Sequence, residues 1–230
     1  MENQAPSPIP IFEAALVIVV TFFVFLFLSV ASQFAFGDAP TLIIGELLIL
    51  IVPLIYLLIK RVDVKNYVRL DLNPKFILIG IGCAGILLLV NILSSVVLTY
   101  FFGTSTAVEQ SNKLITGISA TPSGLIAVAV SLALAGICEE FAFRGFLQTS
   151  IFKSLSNLKT KRYSLAVAVV ISGGVFGLFH FDPQFVYTIS AFISGLVLGL
   201  IYYKWNYTTS ATAHASMNLI VLALLLLGIG

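Results

Sequence analysis

The chain alternates long apolar runs with short polar segments. A helix that crosses a bilayer needs about 20 apolar residues, so each run predicts a transmembrane helix. A transmembrane barrel would instead show alternating segments of about 10 residues. The sequence therefore predicts an all-α, polytopic transmembrane helical bundle of about seven spans, within a range of six to eight. The predicted spans are residues 11–36, 41–59, 76–102, 122–152, 164–181, 184–203 and 208–229.

The polar segments predict how the chain is divided. Residues 1–10 contain three prolines and few apolar side chains, which predicts a disordered N-terminal tail. The first residues lack the basic stretch of a signal peptide, so we expect the first span to be retained. Residues 11–230 are expected to form a single bundle, and residues 103–121 a polar loop.

Composition agrees with this pattern. Hydrophobic residues make up 59% of the chain, charged residues 10%, and the mean hydropathy is +1.09. A soluble domain has about 25% charged residues, so we expect an integral membrane protein with the lipid bilayer as its surroundings. Cys83 and Cys138 lie within apolar spans, which favours packing roles over a disulfide. No basic patch indicates nucleic-acid binding.

The basic residues predict the orientation. Alternation of the spans places ten of the twelve lysines and arginines on one side of the membrane, the side that carries the N-terminus. Basic residues collect on the cytoplasmic side, so we expect a cytoplasmic N-terminus. The location that we expect is the cell membrane of a prokaryote. The ten are Lys60, Arg61, Lys65, Arg69, Lys75, Lys153, Lys159, Lys161, Arg162 and Lys204.

Two acids and a base interrupt the fourth span. Charge at this depth costs several kcal/mol and tends to persist where it is paired and functional. Glu139 and Glu140 are adjacent, so on a helix they point about 100° apart and should have different roles. Glu140 and Arg144 are related as i, i+4, the spacing of a helix ion pair. We therefore expect Arg144 to hold Glu140 and to leave Glu139 available for acid and base chemistry.

The two histidines of the chain also lie in predicted spans. Phe176 precedes His180 by one helical turn and is positioned to support its imidazole. His214 and Asn218 are i, i+4 neighbours, which places two hydrogen-bonding side chains on one helix face. Depths counted from the basic residues, at a rise of 1.5 Å per residue, spread over about 12 Å for this set and Glu139. Helix tilt can absorb much of this spread, so a shared layer is expected.

The three motifs Glu139-Glu140-x-x-x-Arg144, Phe176-x-x-x-His180 and His214-x-x-x-Asn218 occur in this order. In order and spacing they resemble the CPBP family, the CaaX-processing and bacteriocin-processing intramembrane endopeptidases, also called the Abi family. The resemblance covers residues 122–220, the expected catalytic core, whereas spans 1–3 match only in being hydrophobic.

The resemblance implies a metal-independent, glutamic-type protease without a cofactor. It implies that Glu139 and His180 activate water, and that His214 and Asn218 stabilise the oxyanion of the tetrahedral intermediate. Glu140 and Arg144 would then support the site. The implied substrate is a membrane-associated peptide or protein, either a prenylated C-terminal tail or a leader peptide, and the oligomeric state stays open.

Other readings remain open at this point. Glu139, His180 and His214 are enough ligands for a zinc-dependent membrane protease, although the chain has no His-Glu-x-x-His motif. Cys138 is a weaker candidate as a thiol nucleophile, since it points away from whatever Glu139 faces. A proton-coupled transporter or a non-catalytic scaffold would also place charges within spans. We expect Glu46 to lie at an interface, and Asp182 to end the fifth span with a possible orienting role on His180.

Overall fold

A computed structural model describes residues 9–156 and 158–229 of the chain. All the regular structure within these residues is helical, which confirms the all-α prediction. A π-helical segment, Phe141–Gln148, follows α6 and is called the π segment below. The α-helices are α1 (Ile11–Phe36), α2 (Asp38–Ile59), α3 (Val64–Tyr67), α4 (Pro74–Phe102), α5 (Thr106–Ile118), α6 (Pro122–Glu140), α7 (Thr149–Ser156), α8 (Lys161–Phe179), α9 (Val186–Lys204) and α10 (Tyr207–Leu226).

Seven helices in this part of the chain are long and apolar enough to cross a membrane, as predicted. The fourth is a continuous helix, Pro122–Ser156, made of α6, the π segment and α7. Many large apolar side chains on the outside of the bundle are exposed, among them Phe34 at 90% and Tyr100 at 83%. Such a surface suits lipid rather than water, and the chain is an integral membrane protein.

Local sequence signals set where several helices begin and end. Asn73 and Thr121 each cap a helix whose first residue is proline, and their side chains accept hydrogen bonds from the backbone N–H groups of Lys75 and Gly124. Gly37 follows α1 with a φ of 80°, a conformation that glycine adopts without steric cost. The chain reverses direction at this glycine, so α2 begins at Asp38, three residues before its predicted start at residue 41.

The bundle core lies between the fourth span and the helices that follow it. Helix α10 packs against α4 and α6, and α8 packs against α9. Helices α1 and α2 form a pair that contacts α6 and the π segment, while α4 contacts α9. Every residue of the π segment is buried, so this widened helix occupies the centre of the bundle.

The basic segments gather at one end of the bundle, called the basic end below. Arg69, between the second and third spans, donates hydrogen bonds to the carbonyl oxygens of Tyr202 and Tyr203 near the end of α9, at 3.0 and 3.2 Å. Lys153, in α7, lies 4.1 Å from the centre of the Tyr67 ring in α3. These contacts join three segments that are far apart in sequence.

The start of the described chain lies at the same end. Ile9 is buried, and its carbonyl oxygen accepts a 3.0 Å hydrogen bond from the Ser154 hydroxyl. The predicted disordered tail, residues 1–10, falls mostly on residues 1–8, which lie outside the described residues, so it stays a prediction.

Helix α5 lies at the opposite end, where the sequence predicts a polar loop. It begins at the Ser105 cap, and Thr106 bonds through its backbone and its hydroxyl to the Gln184 side chain, at 3.2 and 3.1 Å. Val108, Ser111, Asn112 and Ile115 face the bundle, an i, i+3, i+4, i+7 pattern that marks one face of a helix. The helix was missed because it is short and largely polar.

Glycine allows α6 and α10 to approach closely beside the predicted site. A Cβ atom added to Gly136 would lie 2.3 Å from the backbone nitrogen of Ala215, the residue after His214. A backbone atom cannot move aside as the end of a side chain can, so any larger residue would push the two helices apart.

We expect Gly136→Ala to destabilise the protein by about 1–3 kcal/mol, since it over-packs this contact. The matched control is Gly82→Ala on α4, where an added Cβ meets nothing within 4 Å. Both changes give the same gain in helix propensity, so their difference isolates the packing effect. Thermal unfolding in detergent measures it, and equal midpoints for the two variants would contradict the close contact.

Candidate active site

Five of the predicted site residues line one cavity of about 400 Å³, namely Glu139, Phe176, His180, His214 and Asn218. The other two, Glu140 and Arg144, do not line it. Helices α1, α2 and α4 to α6 contribute to its wall, together with α8 to α10 and the turn between α8 and α9. Its polar lining consists of Glu46, Asn91, Ser111, Glu139, His180, Tyr187, Ser194, His214 and Asn218.

Glu139 lies in the last turn of α6, between the two histidines. Its Oε1 atom is 4.0 Å from Nε2 of His180, and its Oε2 atom is 3.8 Å from Nε2 of His214. Both gaps exceed a direct hydrogen bond, and a gap of this size can hold one bridging water. These distances bring the three side chains together, although helix rise alone spread the depths of the predicted set over about 12 Å.

His180 lies just past the end of α8 rather than inside it. The helix ends at Phe179, so the carbonyl oxygen of Phe176 has no helical partner and bonds to Nδ1 of His180 at 2.8 Å. A carbonyl only accepts, so the ring proton is on Nδ1 and the lone pair of Nε2 faces Glu139. The Phe176 ring, 4.5 Å away, and the Tyr187 ring, 5.1 Å away, hold the imidazole between them.

His214 contacts both acids of the motif. Its Nδ1 atom is 3.2 Å from Oε1 of Glu140, while its Nε2 atom faces Glu139. A carboxylate only accepts hydrogen bonds, so Nδ1 carries a proton whenever Glu140 is ionised. Glu140 therefore fixes the orientation of this ring, and Glu139 is the acid left facing the cavity.

Arg144 is fully buried and has three kinds of partner. Its Nη1 atom donates to Oε1 of Glu140 at 2.6 Å, and its Nη2 atom donates to the carbonyl oxygen of Gly195 at 3.1 Å. The guanidinium also lies 4.4 Å from the centre of the Phe176 ring, close enough for a cation–π contact. The same π segment places Gln148 where its amide donates to the carbonyl oxygen of Gly199, at 3.0 Å.

Asn218 lies one turn beyond His214 on α10, as the sequence predicts for a helical pair. Its Nδ2 atom donates to the carbonyl oxygen of Leu132 on α6, at 3.2 Å. An amide nitrogen carries two hydrogens, so the bond to Leu132 leaves one N–H to donate into the cavity that Asn218 lines.

Glu46 lies in the cavity wall and not at an interface, where its position in the sequence predicted it. Its Oε2 atom is buried and has no hydrogen-bond partner among the described residues. The argument applied to Glu139, that charge within an apolar run tends to be functional, would have found this residue too.

Asp182 does not contact the imidazole of His180 through any hydrogen bond in the described part of the chain. It is fully buried, and its Oδ1 atom accepts a bond from the backbone N–H of Thr188, at 3.1 Å. The Thr188 hydroxyl accepts in turn from the Asp182 backbone, at 2.9 Å. Asp182 therefore shapes the turn that follows His180 and acts on the ring only through the backbone.

Zinc binding was the main alternative role predicted for Glu139, His180 and His214. In residues 9–156 and 158–229, no group of three or more histidine, cysteine, aspartate or glutamate side chains has an arrangement that could hold a metal ion. Cys138 is fully buried and does not line the cavity.

The fold and the cavity together define a polytopic membrane protein with an acid and two histidines inside its helical bundle. Residues 121–220 match the Rce1-like family, described as type II CAAX prenyl endopeptidase Rce1-like. This region contains all three motifs, and the match confirms the predicted resemblance to the CPBP/CAAX protease family. Comparisons with curated proteins and with solved structures found no match.

We expect Arg144→Met to destabilise the protein by about 3–5 kcal/mol, because it removes the guanidinium partner of the buried Glu140 carboxylate. Adding Glu140→Gln to Arg144→Met removes that charge and should recover part of the loss. The measurement is thermal unfolding of the purified protein in detergent.

The matched control is Lys60→Met, which breaks the half-exposed ion pair between Lys60 and Glu13 and should change stability little. If the double variant were no more stable than Arg144→Met, the buried charge would not be the cause of the loss.

Proposed function

We propose that the chain is an intramembrane endopeptidase of the metal-independent, glutamic type. The family match over residues 121–220 supports a CAAX-type membrane protease. The observation that carries the finer proposal is the Glu139 carboxylate, which lies between two imidazole nitrogens at 4.0 and 3.8 Å inside a cavity.

The first step is attack by water on the peptide carbonyl. A water between Glu139 and Nε2 of His180 gives its proton to one of these two bases as its oxygen bonds to the carbonyl carbon. His180 suits this role, because its Nδ1 proton is committed to the Phe176 carbonyl and its Nε2 lone pair is available. The carbonyl π electrons move to oxygen, which becomes the oxyanion.

His214 and Asn218 provide the oxyanion donors. To donate from Nε2 while Nδ1 faces Glu140, His214 must carry both ring protons, and the Glu140 carboxylate balances that charge. Asn218 contributes the N–H that does not bond to Leu132. Donors fixed in place before the reaction stabilise the oxyanion without reorganisation.

The second step breaks the C–N bond. The proton taken from water moves from Glu139 or His180 to the leaving nitrogen, and the oxyanion electrons re-form the carbonyl. The products are a carboxylic acid and an amine, and both bases return to their starting state. Glu140, Arg144 and Phe176 do not meet the substrate in this scheme, since they position His214 and His180.

The proposed substrate is a membrane-associated peptide or protein, with a prenylated C-terminal tail or a leader peptide as the two candidates. The proposed location is the cell membrane of a prokaryote, with a cytoplasmic N-terminus. The basic end supports this orientation, because it carries the segments with ten of the twelve lysines and arginines.

We expect Glu139→Gln and His180→Ala each to lower cleavage by about 10²–10⁴-fold, the contribution of a positioned general base. Asn218→Ala should lower kcat by about 10²–10³-fold, as loss of an oxyanion donor does. Cys138→Ser is the control and should retain activity. The assay uses purified protein in liposomes with two internally quenched peptides, one a farnesylated C-terminal tail and one a leader sequence.

A zinc-dependent reaction would show itself in the same assay. If 1,10-phenanthroline inhibited cleavage and the purified protein contained stoichiometric zinc, the reaction would be zinc-dependent and the metal-independent mechanism would be wrong. Unchanged cleavage by folded Glu139→Gln and His180→Ala would contradict either version. Comparing membrane proteomes of cells with the parent and the Glu139→Ala protein should then identify the substrate from its uncleaved form.

A further inference from the structure

We propose that Glu46 is a further catalytic residue, the general acid that gives a proton to the leaving nitrogen when the peptide bond breaks. This inference rests on the proposed endopeptidase function and refines its second step. Glu46 lies on α2, outside the region that matches the family, residues 121–220, so the match assigns it no role.

Glu46 shares the cavity with the candidate catalytic groups. It lines the wall together with Ile49, three residues further along α2, so one face of this helix borders the space. Glu139, His180 and Asn218 line the same space from other helices and from the turn after α8. The cavity holds about 400 Å³, so a peptide segment that fills it contacts Glu46 as well as Glu139.

Glu46 differs from the paired acids of the bundle. Glu13 contacts Lys60 at 2.7 Å, and Glu140 contacts Arg144 at 2.6 Å. Glu46 takes part in no ion pair within the described part of the chain, and its buried Oε2 atom has no hydrogen-bond partner there. An ionised carboxylate in this position would be a buried charge without a partner, which is costly, whereas a protonated carboxyl is neutral. The surroundings therefore favour a Glu46 that carries a proton.

The second carboxyl group in the cavity has the same consequence. Two carboxylates that share a site repel each other, so one of them tends to hold a proton. Glu139 faces the Nε2 atoms of His180 and His214 at 4.0 and 3.8 Å, and these imidazoles can balance its charge. Glu46 is then the carboxyl that keeps the proton. One base and one acid in the same cavity are the two groups that hydrolysis of an amide requires.

The proton balance of the reaction stays the same with Glu46 as the acid. Water gives its proton to Glu139 as its oxygen bonds to the carbonyl carbon. When the C–N bond breaks, the nitrogen keeps the electron pair of that bond and takes the O–H proton of Glu46, while the oxyanion electrons re-form the carbonyl. The proton on Glu139 then passes to Glu46 through a water molecule, so both carboxyls regain their starting states.

Two substrates that differ in their leaving group test this role. The first is the quenched peptide that the parent protein cleaves, whose amine leaves only with a proton. The second is an ester of the same acyl segment with 4-nitrophenol, which leaves as a stable anion. Glu46→Gln removes the acidic proton with little change in shape. Glu109→Gln is the matched control, because Glu109 is exposed on α5 and does not line the cavity.

We expect Glu46→Gln to lower kcat for the peptide by about 10²–10⁴-fold, the contribution of a positioned general acid, and to leave hydrolysis of the ester nearly unchanged. Glu139→Gln should slow both reactions, because attack by water precedes departure of either leaving group. Glu109→Gln should slow neither. An equal loss on both substrates would show that Glu46 is not the acid, and unchanged peptide cleavage would show that it has no role. Either result overturns the proposal.

Infrared spectroscopy tests the proton on Glu46 without requiring cleavage. The C=O stretch of a protonated carboxyl is separate from the bands of carboxylates. It should be present in the parent protein in liposomes, lost in Glu46→Gln and retained in Glu109→Gln. Absence of this band from the parent would overturn the proposal. A parent that shows the band and cleaves neither substrate would refute the endopeptidase function itself, whereas cleavage that does not depend on Glu46 would refute the role of Glu46 alone.

Discussion

The Glu140–Arg144 ion pair lies in the centre of the bundle, and the placement of the candidate catalytic groups depends on it. Removing two charges from water costs several kcal/mol per ion, so the pair is tolerated only with good geometry and further partners. Both side chains have no exposed surface, and the contacting atoms are 2.6 Å apart. Arg144 reaches α9 through the Gly195 carbonyl, and Glu140 reaches α10 through His214. A single charged pair thus connects the helices that carry the site.

Helices in a bilayer gain little from hydrophobic burial, so they associate through close packing and hydrogen bonds. The contact between α9 and the π segment combines close packing with hydrogen bonds. Arg144 donates to the carbonyl oxygen of Gly195, and Gln148 donates to that of Gly199, one turn further along α9. Gly195 also lies against Gly173 of α8, and a Cβ there would come within 3.0 Å of its Cα atom. Small residues therefore decide where the buried polar groups find partners.

The sequence predicted the features that depend on long-range hydropathy and on helix periodicity. Hydropathy alone identified the seven spans, since the bilayer sets their length. The i, i+4 spacing of Glu140 and Arg144 was sufficient to anticipate their pairing, because both lie on one continuous helix. Span ends were less accurate where a cap such as Gly37 reverses the chain within one residue.

The missed features depend on tertiary contacts. Nothing local marks Phe141–Gln148 as π-helical, since its widened turns are stabilised by burial among other helices. Glu46 lies in the site because α2 packs against α6. Periodicity within one helix does not predict which helix it packs against. The depth of His180 was misjudged because helix rise cannot describe a residue that lies beyond the end of its helix.

Because His180 lies beyond the end of α8, the parts of the site differ in local stability. Glu139 and His214 lie on helices whose unfolding would require the bundle to open, whereas His180 lies in a turn that depends on the Phe176 carbonyl, on Thr188 and on Phe185 in a left-handed conformation with a φ of 59°. Segments with few packed neighbours open locally at a smaller free-energy cost than the whole fold. Local opening of this turn would separate His180 from Glu139 while the bundle stays folded, so the site can be lost without loss of the fold.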